Sequence, residues 1–366
     1  MMNSSCPAIS VIIPLYNAEK YIEDCLESLL LQTFQNFEVI VVDDCSTDNS
    51  IEVVKNYAPK FDGRLQLAKT LENSGNPGES QNIGLSLSRG EYFFILEGDD
   101  VIIPSAFEDL YPAAKKFAAD FVIWEGYYEV SEDRWNDIEF IKQLKPVSYQ
   151  EGGYVDETTL ITDSMAERAQ SGFDHRFLFP LWTKLINRDF FIRNHLRFTN
   201  NVIQDVLTTL CMVYVAEKYV RVPYVVNCYR VRKASLSHEK LAQEKHLQKY
   251  VRSLTTAFEY MDDFFKGRKF FQEHSDMKYL VLETCFRQLS LYFDCVYTEI
   301  PNHELDALLR EEFSNGKHTA LMAFIFNKVN VQRLQLILAQ QQIDQFTEQT
   351  QERIAQLEAE VKRLQT

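Results

Sequence analysis

Cys-x-x-Cys pairs are absent, long apolar runs are absent, and positive charge is scarce. The seven cysteines (Cys6, Cys25, Cys45, Cys211, Cys228, Cys285, Cys295) are scattered and odd in number. Neither a disulfide framework nor a zinc site follows from them, and a reducing, cytoplasmic compartment is expected. No stretch reaches the ~18 consecutive apolar residues that a spanning helix needs. Residues 319–326 (TALMAFIF) are too short for that and read as core. The N-terminus lacks a basic region followed by an apolar one, so no signal peptide is expected. Lys and Arg number 38 against 53 Asp and Glu, a net charge of −15. That balance argues against nucleic acid as a partner. A polyanionic ligand is still compatible with it, given a metal or a local basic patch.

What is present alternates. Residues 9–15 (ISVIIPL) form a nearly unbroken apolar run, the pattern of a strand buried on both faces of a parallel sheet. Pro14 and Asn17 close it. A helix is expected over 18–32, with Ile22, Cys25, Leu26 and Leu29 on one face. Phe37 to Val42 is the next strand, a helix over 51–57 follows, and a weaker strand lies near 65–68. Residues 73–84 (NSGNPGESQNIG) read as a loop leading into a short helix. Tyr92 to Leu96 is a strand, 105–116 a helix capped by Ser105, and Phe121 to Trp124 another strand. Later, 202–218 reads as a helix with Asp205 near its start, and Tyr219 to Tyr229 as a strand. Residues 125–175 are less regular and read as an insertion or lid. Strand and helix in alternation predict an α/β fold with a mostly parallel sheet.

In such sheets ligands bind beyond the carboxyl ends of the strands. Tyr16 and Asn17 end the first strand, Asp43 and Asp44 the second, and Glu97, Gly98, Asp99 and Asp100 the strand of Tyr92. All three groups are expected at one sheet edge. Carboxylates so crowded repel one another unless a cation joins them, and oxygen donors favour Mg2+ or Mn2+. A solvated acidic turn is the alternative reading of Glu97 to Asp100 taken alone. Trp182 reads as core or as the wall of an acceptor pocket. His175 and His195 lack metal-ligand spacing.

From about 239 onward the pattern turns helical, with Leu247, Tyr250, Val251, Leu254, Phe258, Met261 and Phe265 along one face. Glycine and proline vanish from 331–366, where Leu336, Ile343, Ile354, Leu357, Val361 and Leu364 fit a heptad seam. A coiled coil joining copies of the chain is the preferred reading there, a single solvated helix the other.

The segments SVIIPLYNAEKYIEDCLESLLLQTFQNFEVIVVDDCSTDNS and NPGESQNIGLSLSRGEYFFILEGDD resemble glycosyltransferase family 2, and FPLWTKLINRDFF, IQDV and CYRVRKASLS extend the likeness. The resemblance covers about residues 8–237. It implies the GT-A (Rossmann-like) fold over 1–237, split into a nucleotide-sugar half (1–104) and an acceptor half (105–237). A helical region (238–330) and the coiled-coil tail (331–366) follow. It further implies an inverting, metal-dependent transferase using a nucleotide-diphosphate sugar, most often UDP-linked. Surface polysaccharides such as capsule, lipopolysaccharide or teichoic-type polymers are the expected products. A glycan or lipid-linked glycan would be the acceptor, with the chain cytoplasmic or peripheral at the inner membrane face. Carried over residue by residue, Tyr16 lies beside the base, and Asp44, supported by Asp43, accepts from the uracil imide. Pro14, Asn17, Asn82 and Gly98 complete the donor set. Asp99 binds the metal, Glu97 assists it directly or through water, and Asp205 is the catalytic base. Arg230, Arg232 and Lys233 face the departing diphosphate. Trp182 and Lys184 fall on the acceptor side.

The pattern departs from the family at four places: Cys45, Glu97, Gln81 and Gln204 stand where glycine, aspartate, arginine and glutamate are usual. Two other functions fit the residues less well. A metal-dependent nucleotidyltransferase would want a glycine-rich basic loop after the first strand, and Pro14 to Glu19 is neither. A non-catalytic assembly protein acting through the tail is at odds with the presence of Asp44, Asp99 and Asp205.

Overall fold

A computed structural model describes residues 6–124, 126–135, 147–148, 157–164, 166–168, 180–201, 204–232, 256–257 and 259–274. Two compact units divide the chain, 1–300 and 301–366. The second lies outside the described residues, as does the expected coiled coil at 331–366.

The apolar runs become strands because their side chains are buried on both faces. β1 (Ile9–Leu15) and β2 (Phe37–Asp43) are buried at every position. They pair in parallel over their whole length, Ile9 opposite Phe37 through Leu15 opposite Asp43. β3 (Leu65–Lys69) extends the sheet beyond β2, and β4 (Tyr92–Ile95) pairs in parallel with the other side of β1. The main sheet has eight strands. Beyond β4 come β10 (Lys184–Asn187), β6 (Phe121–Trp124), β11 (Tyr219–Val222) and β9 (Thr159–Ile161). β10 runs antiparallel to both β4 and β6. The carboxyl ends of β1, β2 and β4 therefore share one edge, and Lys184 begins β10 at that edge.

A second sheet joins β5 (Val101–Ile102), β12 (Asn227–Val231), β7 (Gly126–Ser131) and β8 (Val147–Ser148). Helices α1 (Ile22–Leu30), α2 (Ser50–Tyr57), α3 (Gly78–Leu87) and α4 (Ala106–Phe117) fill the crossovers. The core beneath α1 and α4 gathers Val11, Ile13, Leu26, Phe37, Phe94, Phe107 and Trp124. Phe107 meets the rings of Phe37 and Phe94 edge-on, at 5.3 and 5.9 Å.

Four local expectations change. α1 starts at Ile22 rather than Ala18: residues 18–21 form a turn in which the Tyr21 and Ile22 amides donate to the Ala18 carbonyl at 2.9 and 3.0 Å, while the amides of Ala18 and Glu19 go to Ser50 Oγ and Asp48 Oδ2. The supposed loop 73–84 is helical from Gly78, where Pro77 supplies a preset φ of −72° just before the first turn. Ser105 precedes α4 but its side chain makes no capping bond. The single strand expected over 219–229 is two strands in different sheets, broken around Pro223. Among the described residues no helix is long and apolar enough to cross a membrane.

Candidate functional site

The loops after β1 and β2 lock together before either touches a ligand. Asn17, at φ 48°, accepts the Thr47 amide on its side-chain oxygen at 2.8 Å, and its own amide donates to Ser46 Oγ at 3.0 Å. Glu19 answers from the other side, accepting the Asn49 amide at 2.9 Å. The Ser-Thr-Asp run after Asp44 therefore serves as a clamp on the β1 loop. Cys45 takes the left-handed φ of 62° that suits glycine.

These loops wall a cavity of about 690 Å³, lined among others by Pro14, Tyr16, Asn17, Asp44, Glu97, Gly98, Asp99 and Arg232. Tyr16 is exposed at its mouth. Asp44 is buried and accepts Thr70 Oγ1 at 2.9 Å and Ser74 Oγ at 3.0 Å. Asp43 lies behind it, fully buried, holding the Ser46 amide and Lys69. Gly98 packs without strain: a Cβ there would meet Leu15 at 3.5 Å, an ordinary contact.

At the acidic strand end the carboxylates divide. Asp99 pairs with the Arg232 guanidinium. Asp100 is buried; its Oδ1 accepts the Arg230 amide at 2.9 Å, which ties β12 to the end of β4. Its Oδ2 has no partner among the described residues. Burial, then the charges of Asp99, Asp205 and Asp100, push the Glu97 carboxyl well above its usual range, against the pull of Arg232. Asp205, at the start of the helix Gln204–Val215, thus shares the field of this cluster. Burial pushes Asp205 up to about 6, against the nearby Lys184 charge and an amide bond from Leu181. Lys184 is fully buried, its Nζ donating to Pro180 O at 2.8 Å and Thr183 Oγ1 at 3.2 Å. Burial pulls it down to about 7.

Not every expected residue joins the cavity. Arg230 is buried away from it: its guanidinium sits 3.5 Å from the Trp135 ring centroid, 2.6 Å from Asp24 and 3.0 Å from the Asp99 carbonyl. Asn82 spends its amide on the Phe198 backbone, at 2.8 and 3.1 Å. Trp182 stacks on Tyr229, with centroids 5.9 Å apart, and meets Tyr127 edge-on. Lys233 lies outside the described residues. Sequence reasoning missed Lys20 and Ser80, which also line the cavity. The Ser80 hydroxyl is buried and has no partner among the described residues. Two departures from the family pattern meet each other: Gln204 Nε2 donates to Gln81 Oε1 at 2.9 Å, both residues buried.

Residues 10–169 match the family model described as Glycosyl transferase family 2. The glycosyltransferase GlyG of Streptococcus pneumoniae is 34% identical over 230 residues, 62% of this chain and 72% of that one. The chain belongs to glycosyltransferase family 2. The glycosyltransferase EpsJ of Bacillus subtilis, described as uncharacterized, is 30% identical over 247 residues, 66% of this chain and 67% of its own length. Shorter but closer is the poly(ribitol-phosphate) β-N-acetylglucosaminyltransferase TarS of Staphylococcus aureus, 42% identical over 102 residues (27% of this chain, 18% of TarS). The crystal structure of TarS residues 1–349 with UDP-GlcNAc superposes with a TM-score of 0.60 at 20% identity, covering 83% of this glycosyltransferase and 79% of that chain. That likeness shows the fold.

The acidic strand end suits a divalent cation on two counts: a buried Asp100 oxygen with no partner among the described residues, and a Glu97 carboxyl held up by burial and then by the charges of Asp99, Asp205 and Asp100. Among the described residues no three Asp, Glu, His or Cys side chains converge into a complete metal cage. One or two carboxylates, completed by ligand phosphate oxygens, are what magnesium-type sites use. Asp99 and Glu97 are the residues that would hold it.

Proposed function

We propose that this family 2 glycosyltransferase moves a hexosyl or N-acetylhexosaminyl group from a UDP-sugar to a hydroxyl of a surface glycan, inverting the anomeric carbon. The observation carrying the proposal is the joining of Asp44, Asp99 and Arg232 in one 690 Å³ cavity, with Asp205 electrostatically coupled to its acidic wall through Glu97. The name and ligand of TarS support a UDP-sugar and a phosphate-containing surface polymer.

Asp44 would accept a hydrogen bond from the uracil imide N–H in place of the one from the Ser74 hydroxyl, and Tyr16 would cover the base. A bound divalent ion would supply Lewis-acid stabilisation to the departing diphosphate. Arg232 already rests on Asp99 and carries a buried Nε with no partner among the described residues. That spare donor would add a charge-assisted bond to the leaving group. Arg230 orients this apparatus from behind, through Asp24 and the Asp99 carbonyl. Asp205 would take the acceptor hydroxyl's proton, its elevated pKa making it a competent base near neutrality. One base and one displacement give inversion.

UDP release by the purified chain, measured with Mg2+ or Mn2+ across a set of UDP-sugars, tests this reading. Acceptor-dependent release that Asp205→Asn and Asp99→Ala both abolish is expected. Full transfer by Asp205→Asn would remove that residue from the base role. Release indifferent to Asp99→Ala and to chelation would remove the metal.

A further inference from the structure

Arg193 pairs at 3.1 Å with Asp120, the residue just before β6, and so marks the amino edge of the sheet, opposite the donor cavity. A second cavity of about 370 Å³ opens there between residues 193–197 and the turn 266–268. Its charge runs against that of the chain. Arg193, Arg197, Lys266 and Arg268 line it against a single acid, Asp263, and Lys266 already holds Asp263 at 2.9 Å.

Arg197 and Arg268 pair with no carboxylate among the described residues. Each is fixed by other means. Arg197 lies 5.4 Å over the Tyr260 ring. Arg268 lies 4.3 Å over Phe264 and donates to the carbonyls of Phe264 and Asn194, at 2.8 and 2.9 Å. Aromatic faces and carbonyls hold the guanidiniums in place without neutralising them. Arg268 is half-buried, and burial lowers its pKa. Left-handed backbone at His195 (φ 55°) and Gly267 (φ 73°) turns both rims, and the space beside Gly267 is open.

We propose that this cavity is a phosphate-binding site, separate from the donor pocket, in which Arg197 and Arg268 grip a phosphate mono- or diester. Two guanidiniums held in place are the usual recognition element for tetrahedral oxyanions. Its volume exceeds that of a bare phosphate, leaving room for a polyol such as glycerol. A soluble phosphate ester and the headgroup of an anionic lipid share this chemistry.

Calorimetric titration of the full chain with glycerol 3-phosphate at low salt tests it, with and without excess UDP. One saturable site that persists with UDP is expected. Arg197→Gln, an exposed change that leaves the fold intact, should weaken it about tenfold. Asp263→Asn should strengthen it, on the order of threefold. No saturable binding, binding abolished by UDP, or affinity unmoved in both variants overturns the proposal. Sedimentation with phosphatidylglycerol against phosphatidylcholine vesicles separates the sources. Arg197-dependent capture by phosphatidylglycerol assigns a lipid headgroup; binding of glycerol 3-phosphate alone assigns a soluble ester.

Discussion

Gln81 and Gln204 look like two separate losses when the chain is compared with its family, yet they touch. One stands where the family pattern has arginine and the other where it has glutamate, and here they fill one buried spot as a neutral pair. Restoring only the arginine would bury an unpaired charge. Gln81→Arg is expected to destabilise the fold by about 3 kcal/mol in urea denaturation. Adding Gln204→Glu should recover most of that loss, a coupling a double-mutant cycle would register. Asp205 permits a second test at this scale. Only its ionised form accepts a proton, and its pKa of about 6 means that transfer falls as pH drops through that value. Lys184→Met removes the nearby positive charge that favours ionisation. It should therefore move the acid limb of kcat upward, on the order of one pH unit. A limb that stays put would detach Lys184 from the base.

At the scale of elements, the clamp between the β1 and β2 loops carries the donor cavity. Asp48 alone accepts the Glu19 amide and the Ser50 amide, each at 3.0 Å. Asp48→Ala should cost about 2 kcal/mol of stability and raise the UDP dissociation constant, since the wall carrying Tyr16 loses its anchor. Calorimetry on the same variant would show a weaker clamp with unchanged affinity if the cavity does not depend on it. β1, β2 and β4 could be read from the chain because strands buried on both faces need unbroken apolar runs. β10 could not: Lys184 opens it with a charged side chain, and that buried amine is met by the Pro180 carbonyl, the Thr183 hydroxyl and the nearby Asp205 charge, which its own segment does not announce. The acids of the cavity could be read because strand ends collect polar residues. The diversion of Arg230 could not, since Asp24, Asp99 and Trp135 lie far from it in sequence. Ser80 was hidden for the opposite reason, a residue type too common to mark a site.

For the whole molecule, the tail offers the most direct measurement. The heptad spacing over 331–366 predicts self-association, so light scattering on the full chain should report an oligomer and a chain ending at 330 a monomer. Equal masses for the two would dismiss the coil. The main sheet bears on a different undertaking, the splicing of parts between related enzymes. β10 is bonded to β4 on one side and β6 on the other, so a donor module cut after residue 104 would leave the Tyr92 strand as a raw edge, open to pairing with other chains. Chimeras built to change the acceptor would keep Lys184–Asn187 with the recipient and exchange segments outside it. The strand that completes the sheet thus sets where the enzyme can be recombined.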